Sequence, residues 1–164
     1  MPRLWSPWRS EYIQSLNKPP RTKTKGLSIF SQALAEGDDD KNLIVWRGTF
    51  CFVIMNLYPY NSGHLLIVPN RQTADVQSLR PDELLDIMQT IQHSMRALDA
   101  AMKPAGYNFG ANFGRVSGAG VDEHIHFHVV PRWEGDTNFM PVLADTKVIS
   151  EEMKKTLKNL RKHF

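Results

Sequence analysis

The chain has little cysteine, no long apolar run and almost no net charge, and each shortage removes a class of protein. One cysteine in 164 residues, Cys51, excludes an internal disulfide and any metal site built on a cysteine pair. It lies between Phe50 and Phe52, where a thiol is expected as core filling. No apolar stretch approaches the ~20 residues that cross a bilayer as a helix, so no membrane association is expected. The opening Met1-Pro2-Arg3-Leu4-Trp5 lacks a secretory apolar core, and a cytoplasmic location is the expectation. The net charge is only +3, so a nucleic acid is not expected as partner. The basic residues gather at the two ends, from Arg3 to Lys25 and from Lys154 to Lys162, and read as solvated surface. Repeats and low-complexity segments are absent. Hydrophobic residues make up 41% of the chain, enough for one domain with a real core.

The pattern along the chain divides into an arm, residues 1–26, and a domain, residues 27–164. The arm holds Trp5, Trp8 and Tyr12 ahead of Pro19-Pro20, and its tryptophans are expected to pack on the body or on a second subunit. Ser28 to Ala35 fits a short helix ended near Gly37. Leu43–Arg47 and Phe50–Met55 fit a hairpin around Gly48, and His64–Pro69 fits a buried strand after the turn cluster Pro59–Gly63. Pro81 opens a long helix in which Leu84, Ile87, Met88, Ile91, Met95, Leu98 and Met102 recur at helical spacing and predict one buried face. Tyr107–Phe113 is a further strand, followed by a loop of small residues from Arg115 to Gly120. A turn at Glu134-Gly135-Asp136, a short strand and a basic helix from about Ser150 close the chain. Five strands around one long helix give an α+β fold with an antiparallel sheet.

Three of the six histidines fall in His124-Ile125-His126-Phe127-His128-Val129-Val130. Strand residues alternate between faces, so the three imidazoles share one face while Ile125, Phe127 and Val129 line the other. Imidazole can serve as nucleophile, acid, base or metal ligand. A row of three on a strand can be structural, can bind a metal, or can attack a phosphate while its neighbours hold the oxygens. Same-face positions lie about 6.5–7 Å apart along a strand, so three in one row converge on a metal only with a bulge. The loop before them carries Gly114, Gly118 and Gly120, which allow a backbone to approach an anion. Asn112 adds a neutral amide. This combination favours phosphate chemistry.

His124 to Val130 matches the His-φ-His-φ-His-φ-φ motif of the histidine-triad (HIT) family, φ being apolar, and Asn56 to Pro69 resembles the family's upstream motif. The resemblance spans about residues 27–140. Pro131-Arg132-Trp133 and Gly135 to Phe139 look most like the bacterial branch that includes diadenosine polyphosphate phosphorylases and hydrolases. It implies a HIT-like fold, a homodimer, and nucleotidyl transfer or hydrolysis at the α-phosphate of a purine nucleotide, such as a dinucleoside polyphosphate or a phosphoramidate. By position His126 is the nucleophile, His128 and His64 hold phosphate oxygens or the leaving group, and His124 orients His126 in part through its carbonyl. Asn56 would bind the ribose, Leu57 flank the purine, Asn112 and the loop glycines Gly118 and Gly120 meet the phosphates, and Trp133 cover the phosphate chain or a second base. No cofactor is required, although Mg²⁺ can accompany a polyphosphate. A neutral nucleophile implies activity that falls below about pH 6 to 7.

Three departures stand out. Ala119-Gly120-Val121 occupies the place of the Gly-Gln-Ser or Gly-Gln-Thr that many members carry, so amide and hydroxyl donors to the leaving group are missing. Ser28-Ile29-Phe30-Ser31 stands where zinc-containing members have Cys-x-x-Cys, and Gln72 where a further zinc-binding histidine falls. Structural zinc is therefore not expected, with Ile29 and Phe30 supplying compensating packing. A catalytically weak nucleotide-binding module and a His-ligated metallohydrolase are the alternative readings.

Overall fold

Turn and cap chemistry sets the element boundaries. In the computed structural model, which describes residues 26–136 and 152–164, Ser28 caps α1 (Ile29–Glu36) by accepting from the Ser31 N–H, and Gly37 ends it in the left-handed region at φ 73°. β1 (Ile44–Arg47) and β2 (Cys51–Met55) form the expected hairpin, and β3 (Leu65–Pro69) follows the Pro59–Gly63 turn. Pro81 stands at the first turn of α2 (Pro81–Met102), where the Glu83 carboxylate accepts from the Arg80 N–H at 2.9 Å. β4 (Gly106–Ala111), β5 (Phe127–Arg132) and α3 (Met153–Leu160) complete the described elements. The short strand expected after Asp136 and the tryptophan-bearing arm, save Gly26, lie outside the described residues.

All five strands pair antiparallel in the order β1-β2-β3-β5-β4, the α+β sheet expected from the sequence. Its two faces bury different sets. Val53, Met55, Leu65, Ile67, Ile125 and Val129 pack with Ile87, Ile91 and Leu98 of α2 and Leu157 and Leu160 of α3. Phe52, Ile54, Leu66 and Val68 face the other way and pack on Phe30 of α1. The period-two alternation thus sends Ile125 and Val129 under the helices and leaves the histidines on the α1 side. No helix among the described residues is long and apolar enough to cross a membrane.

Two expectations need correction. Leu84 and Met88 were expected on the buried face of α2 but are 40% and 49% exposed. The buried stripe runs instead through Glu83, Ile87, Thr90, Ile91, Ser94, Ala97 and Leu98. At 100° per residue its centre lies roughly a quarter-turn from Leu84. Specific polar contacts put the small and charged residues inside: Arg71 grips Glu83 through Nε and Nη2, and the Cys51 thiol donates to Thr90 Oγ1 at 3.3 Å. The histidine strand is also shorter than expected. Pairing of β3 with β5 begins at Ile67↔Phe127, so only His128 lies within β5. His124–His126 run ahead of it, tied to the chain beyond β3 by the Ile125 N–H, which donates to the Thr73 carbonyl at 2.8 Å.

Candidate active site

Gly63 delivers the first histidine. It turns at φ 76° and lies against α2, where a Cβ would come within 2.7 Å of Met102 Sδ. The next residue, His64, is buried. The same turn is stapled to the end of β5: Asn61 Nδ2 donates to the Pro131 carbonyl and to Asp136, which also takes a two-pronged ion pair from Arg132.

Backbone donors and acceptors dictate which nitrogen of each ring carries the proton. The Tyr60 N–H donates to His64 Nδ1 at 3.0 Å, and Asn56 Nδ2 approaches the same nitrogen at 3.3 Å. His64 Nδ1 is therefore an acceptor, and the neutral ring carries its proton on Nε2. That proton is directed at His128 Nδ1, 2.9 Å away. His128 in turn is protonated on Nε2, a buried atom with no hydrogen-bond partner among the described residues. The row ends in an unpaired N–H donor. The Tyr60 ring lies parallel to His128, with centroids 5.7 Å apart and planes 7° apart.

The second row fixes His126. His124 Nε2 lies 2.8 Å from the Pro69 carbonyl, so this nitrogen holds the proton and donates it. The His124 carbonyl accepts from His126 Nδ1 at 3.0 Å. A neutral His126 then has its lone pair on Nε2, for which no partner is found among the described residues. The rings of His126 and His128 are neighbours, with centroids 5.0 Å apart, so the ring with the lone pair stands next to the ring with the unpaired N–H. Phe30 of α1 packs against the rings of His124 and His126 at 5.8 and 5.1 Å. The register sets Gly110 beside His128, with open space where a side chain would stand, and the expected site residue Asn112 follows just past the end of β4, half-buried. Two cavities, of about 810 and 350 Å³, lie elsewhere on the molecule and are lined by none of these four histidines.

Burial favours the neutral form of the three triad rings. Desolvation pulls His124, His126 and His128 below the ordinary histidine value of 6.5, and His128 down to about 4, with the neighbouring His126 charge adding to the effect there. A depressed pKa keeps the lone pair available as pH falls through 6.5. The acid limb of kcat/KM is therefore expected below 6.5, lower than the sequence alone suggested. A pH–rate profile with its acid-side midpoint at or above 6.5 would contradict it. The sign for stability follows: the unfolded chain takes up protons that the buried rings resist, so stability declines as pH drops below 6.5.

The remaining expected site residues are placed unevenly. Asn56 Oδ1 accepts from the Tyr58 N–H at 3.0 Å, leaving its side chain engaged on both ends, and Leu57 is 60% exposed. Gly118 is exposed, and its N–H donates to the Arg115 carbonyl, while the Ser117 N–H donates to Gly114; these two groups close the turn and are not free for an anion. Gly120 is exposed, and Val121 beside it packs on the core under α1. Trp133 is half-buried, its backbone N–H donating to Asp136. Phe30 supplies the expected packing near His124, but Ile29 is exposed. The sequence reading missed Tyr60, whose signal was its place in the turn before His64. It also missed Pro69, which acts through a carbonyl that no side-chain pattern reveals.

The fold is that of histidine-triad proteins of known structure. The HIT domain profile matches residues 39–135, more than half of the chain, and the chain belongs to that family. It is 35% identical to an AP-4-A phosphorylase of Mycobacterium tuberculosis over 156 residues, 94% of this chain and 80% of that protein. It is 25% identical to a bis(5'-nucleosyl)-tetraphosphatase [asymmetrical] of Schizosaccharomyces pombe, over 71% of this chain and 60% of that one. Among solved structures, a hypothetical histidine triad nucleotide-binding protein from Sulfolobus tokodaii superposes with a TM-score of 0.68 at 23% identity, over 83% of this chain and 91% of that one.

Proposed function

We propose that this HIT-family enzyme, a nucleotide hydrolase or phosphorylase, cleaves purine dinucleoside polyphosphates such as diadenosine tetraphosphate through a covalent nucleotidyl-histidine. The observation that carries the reading is the free Nε2 lone pair of His126 beside the unpaired Nε2–H of His128. Nε2 of His126 attacks the α-phosphorus and the P–O bond to the departing polyphosphate breaks. The Nδ1–H stays on the His124 carbonyl, which stabilises the cationic ring formed. The His128 N–H meets a phosphoryl oxygen as its charge develops. Water or inorganic phosphate then displaces the histidine and restores the neutral ring.

The relatives' names support both acceptors, and the phosphorylase has the higher identity and coverage of the two. A metal held by the triad is disfavoured by its donors. Of six ring nitrogens in His124, His126 and His128, four are already engaged, and one of the two left carries a proton. No group of three or more His, Cys, Asp or Glu among the described residues is placed to hold a metal ion. Mg²⁺ belongs in this reading with the polyphosphate. A homodimer is proposed alongside, with β4 at the sheet edge and Leu84, Leu85 and Met88 exposed on α2 as its apolar surfaces.

The test is a product assay with diadenosine tetraphosphate, with and without inorganic phosphate, on protein whose mass is first read by sedimentation. ADP plus ATP formed only with phosphate identifies phosphorolysis, the expected result; AMP plus ATP identifies hydrolysis. Nucleotide binding without turnover would replace the enzyme reading with that of a binding module. A monomer would remove the dimer.

A further inference from the structure

The support of His126 continues past His124 into α1. His124 Nδ1 lies 2.7 Å from Ser28 Oγ, and both residues are fully buried. Because Nε2 donates to Pro69, Nδ1 can only accept, so the Ser28 hydroxyl is the donor. The same oxygen accepts from the Ser31 N–H as the cap of α1. Gln72 Oε1 accepts from the Ser28 N–H at 2.8 Å and from the Ser31 hydroxyl at 3.0 Å. The Ser31 hydroxyl also lies 3.4 Å from His124 Nδ1 and 3.2 Å from Ser28 Oγ, but its proton has the nearer acceptor in Gln72, which leaves Ser28, at 2.7 Å, as the donor to His124. The stretch from Pro69 to Thr73 holds His124 and its peptide at three points: the Pro69 carbonyl on the ring, Gln72 behind Ser28, and the Thr73 carbonyl on the Ile125 N–H.

These are also the positions at which the sequence resemblance raises a structural zinc. The residues present do not fit that ion. Zinc is held by thiolates, imidazoles and carboxylates, whereas this cluster offers two hydroxyls, an amide oxygen that already accepts two bonds, and an imidazole nitrogen occupied by a hydroxyl proton. We propose that Ser28, braced by Gln72, is a positioning residue for the reaction: its O–H locks the His124 ring so that the His124 carbonyl faces the His126 Nδ1–H and keeps the lone pair on Nε2. This rests on the reading of His126 as nucleophile. A ring anchored at both nitrogens cannot turn about either bond to the backbone, and the peptide that carries the carbonyl is fixed on its other side by Thr73.

The test uses the full chain with Ser28→Ala, Ser28→Thr and Gln72→Ala, read by kcat and KM on diadenosine tetraphosphate and by ¹⁵N NMR of the imidazoles. Ser28→Ala should lower kcat about 10- to 100-fold with KM little changed, as expected when a group that orients a reacting residue is lost. Ser28→Thr, which keeps both cap and hydroxyl, should restore most of the rate, and Gln72→Ala should fall between. In the parent protein His124 should show a bare, hydrogen-bonded Nδ1 and a protonated Nε2. Undiminished kcat in Ser28→Ala, an equal loss in Ser28→Thr, a proton on His124 Nδ1 in the parent, or stoichiometric zinc in the purified protein would each overturn the proposal. The NMR of the parent and the threonine variant decide the matter even if the alanine variant does not fold. The imidazole spectrum judges the Ser28 bond regardless of turnover, so a failure of the nucleophile reading, seen as a still-active His126→Ala, is told apart from a failure here.

Discussion

His126→Ala should lose at least ~10⁴-fold in kcat while still binding nucleotide, the scale expected when a covalent nucleophile is removed and the surrounding donors remain. The ring is buried against Phe30, so the truncation also leaves a small void, and thermal unfolding must be measured alongside to separate inactivity from loss of fold. The effect should be all on the chemical step. Among the nitrogens of the triad, only His126 Nε2 keeps a lone pair with no partner among the described residues, because the others are donors or are already occupied. A variant that turns over diadenosine tetraphosphate at the parent rate would show that the acceptor, phosphate or water, attacks directly.

His128→Phe should lower kcat by roughly 10²- to 10³-fold, the loss seen when one donor to a developing phosphoryl or acyl charge is removed. Phenylalanine preserves the ring that stacks under Tyr60 but deletes both the acceptor for His64 and the unpaired N–H. Packing is thereby held nearly constant while the donor goes. The outcome also reports on the direction of the Tyr60–His64–His128 row. If His128 served only to pack, the phenylalanine variant would keep its rate; if it supplies the donor, kcat falls while nucleotide affinity changes little.

The order of elements was legible because turn chemistry and periodicity are local. Pro59–Gly63, Pro81 and Gly37 mark their boundaries as expected, and the alternation around His126 places Ile125 and Val129 under the helices. The tilt of α2 was not legible. Hydrophobicity ranks Leu84 and Met88 above Thr90 and Ser94, whereas burial is decided by what the sheet offers, such as the Cys51 thiol that meets Thr90. In the site, the residue types could be read but not their protonation. The tautomers of His64, His124 and His126 are set by the Tyr60 N–H and the Pro69 and His124 carbonyls, and main-chain atoms leave no mark in a sequence. The depressed pKa values arise in the same way from burial that only the assembled sheet creates. Ser28, Ser31 and Gln72 could be seen in advance only as missing metal ligands; that they form a directed hydrogen-bond cluster on His124 required the fold.

The claim at the centre of this account is a bond between His126 Nε2 and phosphorus. Mixing the enzyme with diadenosine tetraphosphate, quenching in alkaline denaturant to protect the acid-labile P–N bond, and reading the peptide masses tests it directly. The expected result is one nucleoside monophosphate added to the peptide containing His126, absent in His126→Ala. Full turnover with no adduct at any time before the steady state, or an adduct on a different residue, would contradict it.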